Sequence, residues 1–327
     1  LEFPLEVSGR RGLRVEATRL GLEAARATST RDRAGLLFDA MGTYWRTAAA
    51  RQTVGLLQQE LEALVRLIAA VRARAAAGDT SGYDLDRLEV EVEQLEDLLA
   101  EAQREHDAWR RRLGLLLGAP RDRFEATDAL VLPAAPTAQP EDLLRQVLAS
   151  RADCEAARLR VSQADRALTA GGRGWVPDVV LTGGMRNALA TTDFAWGYVG
   201  GVSLSLPVFD HGQGEVARAQ AQLSQATAAL RLLEQQVAGE LLTAHEALTL
   251  TLAQATRFER TQVPRLDRLV RRAEVSFREG ERPVFELLDA YRTARALRLR
   301  EVELKQSARL AELELARTMG LTPGEPK

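Results

Sequence analysis

Apolar residues recur along much of the chain at alternating intervals of three and four. Leu57, Leu61, Leu64, Ile68 and Val71 are spaced 4, 3, 4, 3, and Leu85, Leu88, Val92, Leu95, Leu99 and Ala102 are spaced 3, 4, 3, 4, 3. Such a stripe is the seam of coiled-coil packing between long helices. Between the two stripes, "AAAGDTSGYDL" carries Gly78, Gly82 and turn-favouring polar residues, so the stripes form an antiparallel helical hairpin. A second hairpin turns at "REGERPVF", where Gly280 can take a positive φ and Pro283 can open the next helix. The pattern predicts long helices over about 14–74, 84–117, 140–168, 214–277 and 284–319. At 1.5 Å per residue, about 60 helical residues extend on the order of 90 Å, more than a compact domain allows.

One segment changes period. In "WGYVGGVSLSLPVF", Tyr198, Gly200, Val202, Leu204 and Leu206 fall on one face, and Val199, Gly201, Ser203 and Ser205 on the other. This is a strand with an apolar face and a small or polar face, about 9 to 11 residues long, the form of a lipid-facing barrel strand. A half-buried strand of a soluble sheet has the same alternation. "PDVVLTGGMR" supplies a partner strand, with "NALATTDFA" as the exposed loop between them and "GGRG" before Trp175 as a helix-to-strand turn.

The elements also repeat. Gly78 to Gly118 and Gly280 to Gly320 each span 40 residues (118 − 78 and 320 − 280), at an offset of 202. Upstream, "FPLEVSGRRGLRVEA" aligns with "LPVFDHGQGEVARAQ", pairing Pro4 with Pro207 and Gly9 with Gly212 at an offset of 203. Two landmarks with nearly one offset indicate a tandem duplication. Residues 1–136 form repeat 1, with a strand end, long helices and a hairpin tip near 78–84. Residues 137–327 form repeat 2, with a helix, a β-hairpin at about 176–209, long helices and a tip near 278–286. Repeat 2 opens near Pro140, so the matching start of repeat 1 falls upstream of Leu1, and the first strand and helix of repeat 1 are expected there. "LEFPLEVSGRRG" itself reads neither as a basic n-region nor as an apolar h-region.

Composition narrows the function. Aromatics are only 5%, so helix contacts rest on Ala and Leu rather than on a thick core. Lys and Arg number 44 against 46 Asp and Glu, which leaves no basic field for nucleic acid. Cys154 stands alone, excluding an internal disulfide framework. His106, His211 and His245 are too scattered for a metal cluster, and neither a nucleophile triad nor a phosphate or dinucleotide loop occurs. The chain is read as no enzyme, with no cofactor.

Three stretches carry a resemblance: "SRADCEAARLRVSQADRAL…GWVPDVVLTGG", "GYVGGVSLSLPVFDHGQGEVARAQAQLSQA" and "SFREGERPVFELLDAYRTARALRLREVELKQSA". With Gly280, Leu288, Asp289 and Ala290 matching the family's glycine, spacer and Leu-Asp-Ala signature, the chain resembles the TolC-type outer-membrane efflux channels over almost its whole length. "FPLEVSGRRGLRVEA" is similar to a pattern of the heavy-metal-efflux branch, with Ser8 and Arg10 as departures. The resemblance implies a mainly α fold with a small β part. Duplicated helical hairpins would form a trimeric α-barrel continuous with an outer-membrane β-barrel of twelve strands per trimer. It implies a homotrimer in outer-membrane lipid of a Gram-negative-type bacterium, extending into the periplasm. A periplasmic adaptor and an inner-membrane efflux pump, of RND type, would supply the drive, and the cargo would be metal cations or small toxic compounds. A periplasmic coiled-coil adaptor or scaffold without a pore is the other reading, although adaptors carry one hairpin flanked by β domains.

The resemblance also assigns residues. Glu286 and Asp289 match an acidic ring at the pore aperture. Asp84, Arg282, Tyr83 and Phe277 match positions of inter-hairpin gating links, with Tyr83 and Phe277 departing from the usual types. Gly78, Gly82, Gly280 and Pro283 form the turns that dock on the adaptor. Six carboxylates around a threefold axis would favour cations in a narrow aqueous mouth. The same two acids would also be stabilised as ordinary first-turn residues by the helix dipole.

Overall fold

The computed structural model describes residues 2–76, 82–177, 179–190, 193–204, 209 and 211–321. Gly78, Leu206 and Pro207 lie outside them. In chain order the elements are β1 (Glu2–Leu5), α1 (Arg10–Ala76), α2 (Gly82–Leu116), α3 (Pro140–Ser150), α4 (Ala152–Gly172), β2 (Val179–Ala190), β3 (Asp193–Leu204), α5 (Gln213–Thr261), α6 (Val263–Arg278) and α7 (Val284–Thr318). Two compact units divide them: residues 1–32 with 145–239, and residues 33–144 with 240–327. Each unit draws on both halves of the chain.

Two predicted helices are each broken in two. The helix expected over 140–168 stops at Ser150, because Arg151 adopts an extended backbone (φ −66°, ψ 127°). Its guanidinium folds onto Asp153 through bonds of 3.0 and 2.7 Å, and Asp153 accepts the Cys154 N–H at 2.9 Å, so a side chain two residues on satisfies the new helix start. The helix expected over 214–277 breaks at Gln262. Pro264, at the start of α6, has no N–H to donate back and crowds the preceding turn.

The first unit contains an antiparallel sheet in the order β1-β2-β3. Phe3 pairs with Leu181 and Leu181 with Val202, while Leu5 pairs with Val179 and Val179 with Leu204. The predicted loop "NALATTDFA" is a correction. The β2–β3 ladder continues through Asn187↔Trp196 and Ala188↔Ala195 to Ala190↔Asp193, because strand pairing uses main-chain groups and tolerates these polar letters. The unit's helices bury small residues: Ala17, Ala24 and Ala27 of α1, Ala156 and Ala164 of α4, and Ala219 of α5. Alanine contacts let helices approach closely without bulky side chains between them.

In the second unit the predicted seam is the core. Leu57, Leu64 and Val71 of α1 and Leu88, Leu95 and Ala102 of α2 are buried at intervals of seven, with Leu61, Ile68, Val92 and Leu99 packed beside them. Val284 and Leu288 of α7 join the same cluster. The non-helical segment 117–139 is tied down by side chains. Arg51 donates to the carbonyls of Thr127 and Asp128, the Asp128 N–H donates to the Tyr44 hydroxyl, and Arg309 donates to the Val131 carbonyl. These bonds replace the partners that a helix or sheet would supply.

Left-handed glycines recur at matched places. Gly9 (φ 68°) precedes α1 and Gly212 (φ 80°) precedes α5, while Gly118 (φ 74°) follows α2 and Gly320 (φ 70°) follows α7. The last two close their helices with the same pair of bonds: Ala119 N–H to the Gly114 carbonyl and Gly118 N–H to Leu115, against Leu321 N–H to Ala316 and Gly320 N–H to Arg317.

Candidate functional site at the second hairpin tip

α6 ends in the same turn. Gly280 takes φ 77°, its N–H bonds to the Phe277 carbonyl at 3.1 Å, and the Glu281 N–H reaches back to Ser276 at 3.0 Å. Pro283, extended at ψ 160°, then caps the start of α7. This turn orients the first two turns of α7. Val284, Leu287, Leu288 and Ala290 are buried, whereas Asp289 is exposed and Glu286 is half-buried. At 3.6 residues per turn, Glu286 and Asp289 share one face, away from Val284 and Leu288.

Arg282 Nη1 meets the Glu286 carboxylate at 3.0 and 2.7 Å, so the expected linking arginine is engaged by a ring acid of its own chain. Glu286 and Asp289 border an open groove of about 730 Å³ that Arg87, Arg272, Arg282 and Arg292 also line. The acids therefore sit in a mixed field of charge rather than an isolated negative patch.

The other predicted positions separate. Asp84 lies in the first turn of α2 and Gly82 begins that helix. Tyr83 is exposed, with the Arg87 guanidinium 5.8 Å from its ring centre. Phe277 packs on the core cluster of Leu57, Leu88 and Leu288, so within the chain its role is apolar.

A second group of charges was not anticipated. Glu91 of α2 is 1% exposed and accepts Arg292 Nε at 2.7 Å and Arg295 Nη2 at 2.8 Å, both from α7. Burial works against ionising Glu91, but the bonds from Arg292 and Arg295 outweigh it and hold its pKa below the ordinary range. Arg295 Nη1 also reaches Glu60 of α1 at 3.3 Å. Burial lifts the Glu60 carboxyl to about 7; Arg295 opposes this and Glu91 reinforces it. Tyr291 donates its hydroxyl to Glu274 at 2.8 Å, and burial followed by that bond pushes the phenol well above its usual range. The available signal was a carboxylate three residues after Leu88 and four before Leu95, on the apolar stripe itself.

A family model for outer membrane efflux proteins matches residues 143–321. The chain belongs to the outer membrane efflux protein family. This efflux protein is 25% identical over 321 residues to the cobalt-zinc-cadmium resistance protein CzcC of Cupriavidus metallidurans, covering 98% of this chain and 76% of that one. Among solved structures it is similar to CusC (TM-score 0.82, 19% identity, 98% of this chain and 76% of the other). It is also similar to the open state of the MtrE outer membrane channel of Neisseria gonorrhoeae (TM-score 0.81, 18% identity, 98% and 74%). The mostly helical fold with its small sheet is that of these channels. The efflux protein is thus an outer-membrane channel component that extends into the periplasm, of a family whose members are trimers working with an adaptor and an inner-membrane pump. The poreless adaptor reading is set aside by the same match. No helix among the described residues is long and apolar enough to cross a membrane, which says nothing of a β-barrel.

Proposed function

We propose that three copies of this efflux protein form a passive exit duct for metal cations, driven by an inner-membrane pump of the RND type through a periplasmic adaptor. Four strands per chain would enter a shared twelve-stranded barrel, and the duplicated hairpins, repeats 1–136 and 137–327, would form an α-barrel below it. The matched left-handed glycines at 9 and 212 and at 118 and 320 support the duplication. The hairpin tips, including Gly82, Gly280 and Pro283, would dock on the adaptor, and Glu286 and Asp289 would line the aperture. Asp84 and Arg282, with Tyr83 and Phe277 beside them, would hold neighbouring hairpins together.

The observation that carries the reading is the sheet. Phe3, Leu5, Leu181, Met185, Trp196, Tyr198, Val202 and Leu204 all fall on one face by the pairing register, and all are exposed, Tyr198 at 88% and Val202 at 70%. The opposite face offers Glu2, Thr182, Arg186, Gly201 and Ser203, with Val180 and Val199 among them. An apolar face left open to this extent fits hydrocarbon outside and water inside. The metal cargo rests on the CzcC likeness and on the similarity of "FPLEVSGRRGLRVEA" to the heavy-metal-efflux branch.

The test is planar-bilayer recording with the purified protein and with Glu286→Ala/Asp289→Ala. A conducting channel whose cation preference falls in the double variant is expected. A channel with unchanged selectivity would remove these acids from the aperture, and a protein that never inserts would remove the barrel.

A further inference from the structure

The Glu60–Glu91–Arg292–Arg295 cluster has two carboxylates and two guanidiniums, but its bonds are shared unequally. Glu91 takes the short bonds from both arginines, at 2.7 and 2.8 Å, and Glu60 is left with one contact to Arg295 at 3.3 Å. Yet the Glu60 side chain is only 10% exposed. The cations facing it are already engaged, Arg295 by Glu91 and Arg298 by Asp267 of α6 at 3.7 Å. Tyr291 of α7, near Glu60, spends its hydroxyl on Glu274 of α6, and Arg66 of α1, near that tyrosine, lies by Glu62 at 3.8 Å. Glu60 is the member of the cluster that is buried without matching compensation.

We propose that Glu60 is a proton-operated release on the clasp that ties α7 to α1 and α2. Protonated, Glu60 rests neutral in the seam and leaves Arg295 to Glu91. Ionised, it moves to water and draws Arg295 away, loosening α7. The sign follows from linkage. Burial lifts the packed carboxyl to about 7 from the ordinary 4.5. Between those values the packed form holds a proton that the loosened form lacks, so packing is tightest in acid and weakens as pH rises through about 7. Because α7 also carries Glu286 and Asp289, release would shift the tip acids. That consequence rests on the channel reading, whereas the release itself does not.

The experiment is hydrogen–deuterium exchange of the full chain in detergent at about pH 6 and about pH 8, corrected for intrinsic rates, followed over residues 284–298. Protection should fall about tenfold between the two, because the acid sample lies about one pH unit below the midpoint, and should stay at its acid level in Glu60→Gln. Equal protection in the parent at both pH values, or a fall that persists in Glu60→Gln, overturns the proposal. Infrared spectroscopy of the parent protein gives a reading that needs no variant. A protonated carboxyl band present at about pH 6 and lost by about pH 8 is expected, and its absence at the lower pH also overturns the proposal.

Discussion

Arg282 and Glu286 are bound to each other across one turn, Nη1 lying 3.0 and 2.7 Å from the two carboxylate oxygens. The arginine expected to link hairpins thus neutralises an acid expected to line the aperture. Both side chains are substantially exposed, 60% and 38%, so the pair contributes little to stability. Its consequence is electrostatic.

Arg282→Ala should therefore leave thermal stability within about 1 kcal/mol of the parent, the range for exposed ion pairs. Cation preference in single-channel recordings should rise, opposite in sign to the effect of Glu286→Ala. A fall in cation preference would mean that Arg282 compensates no charge at the mouth.

Glu91 behaves differently because it is buried. Glu91→Ala leaves Arg295, itself 14% exposed, without its shortest partner and with the longer 3.3 Å contact to Glu60 in the seam. Breaking a buried pair from one side costs about 3–5 kcal/mol; Arg292, at 45% exposure, can recover water, which places the loss toward the lower end. Thermal melts in detergent should show a large drop for Glu91→Ala and a smaller one for Arg292→Ala.

The seam and the clasp differ in how far the sequence reveals them. The seam residues Leu57, Leu64, Leu88 and Leu95 announce themselves because apolar periodicity reports directly on burial. Glu286 and Asp289 are singled out by the family resemblance, counted from Gly280, whose left-handed turn fixes where α7 begins. The clasp is invisible in this way, since Glu91 and Arg292 are 201 residues apart and no local rule joins them. The break at Gln262 was available in Pro264, but the surrounding helical periodicity hid it. The break at Arg151 has neither Gly nor Pro, only an Arg–Asp pair that stabilises it after the chain has folded. In the sheet, polar letters suggested a long loop where the main-chain ladder runs on to Ala190 and Asp193.

The matched helix ends give a prediction about backbone alone. Gly118 and Gly320 hold φ near 74° and 70°, and a Cβ at Gly118 would meet nothing within 4 Å. The cost of Gly118→Ala is therefore conformational, about 1–2 kcal/mol for a side chain in the left-handed region, and Gly320→Ala should cost a similar amount. Denaturation of each variant measures this directly. Clearly unequal losses would mean that the two turns are stabilised by different surroundings despite their shared hydrogen bonds.

The sheet allows the barrel to be tested one residue at a time. Val202 and Ser203 are neighbours on β3, pair with Leu181 and Val180 of β2, and face opposite sides. If the apolar face meets lipid, Val202→Arg puts a charge into hydrocarbon and should cost about 2–4 kcal/mol near the bilayer midplane. Ser203→Arg places the same charge on the small, polar face and should be tolerated, with its effect read instead in conductance. Heat-resistance of the assembled protein on gels, compared between the two variants in lipid vesicles, separates the cases. Equal loss in both would mean that both faces are dry, and equal tolerance would mean that neither face meets lipid.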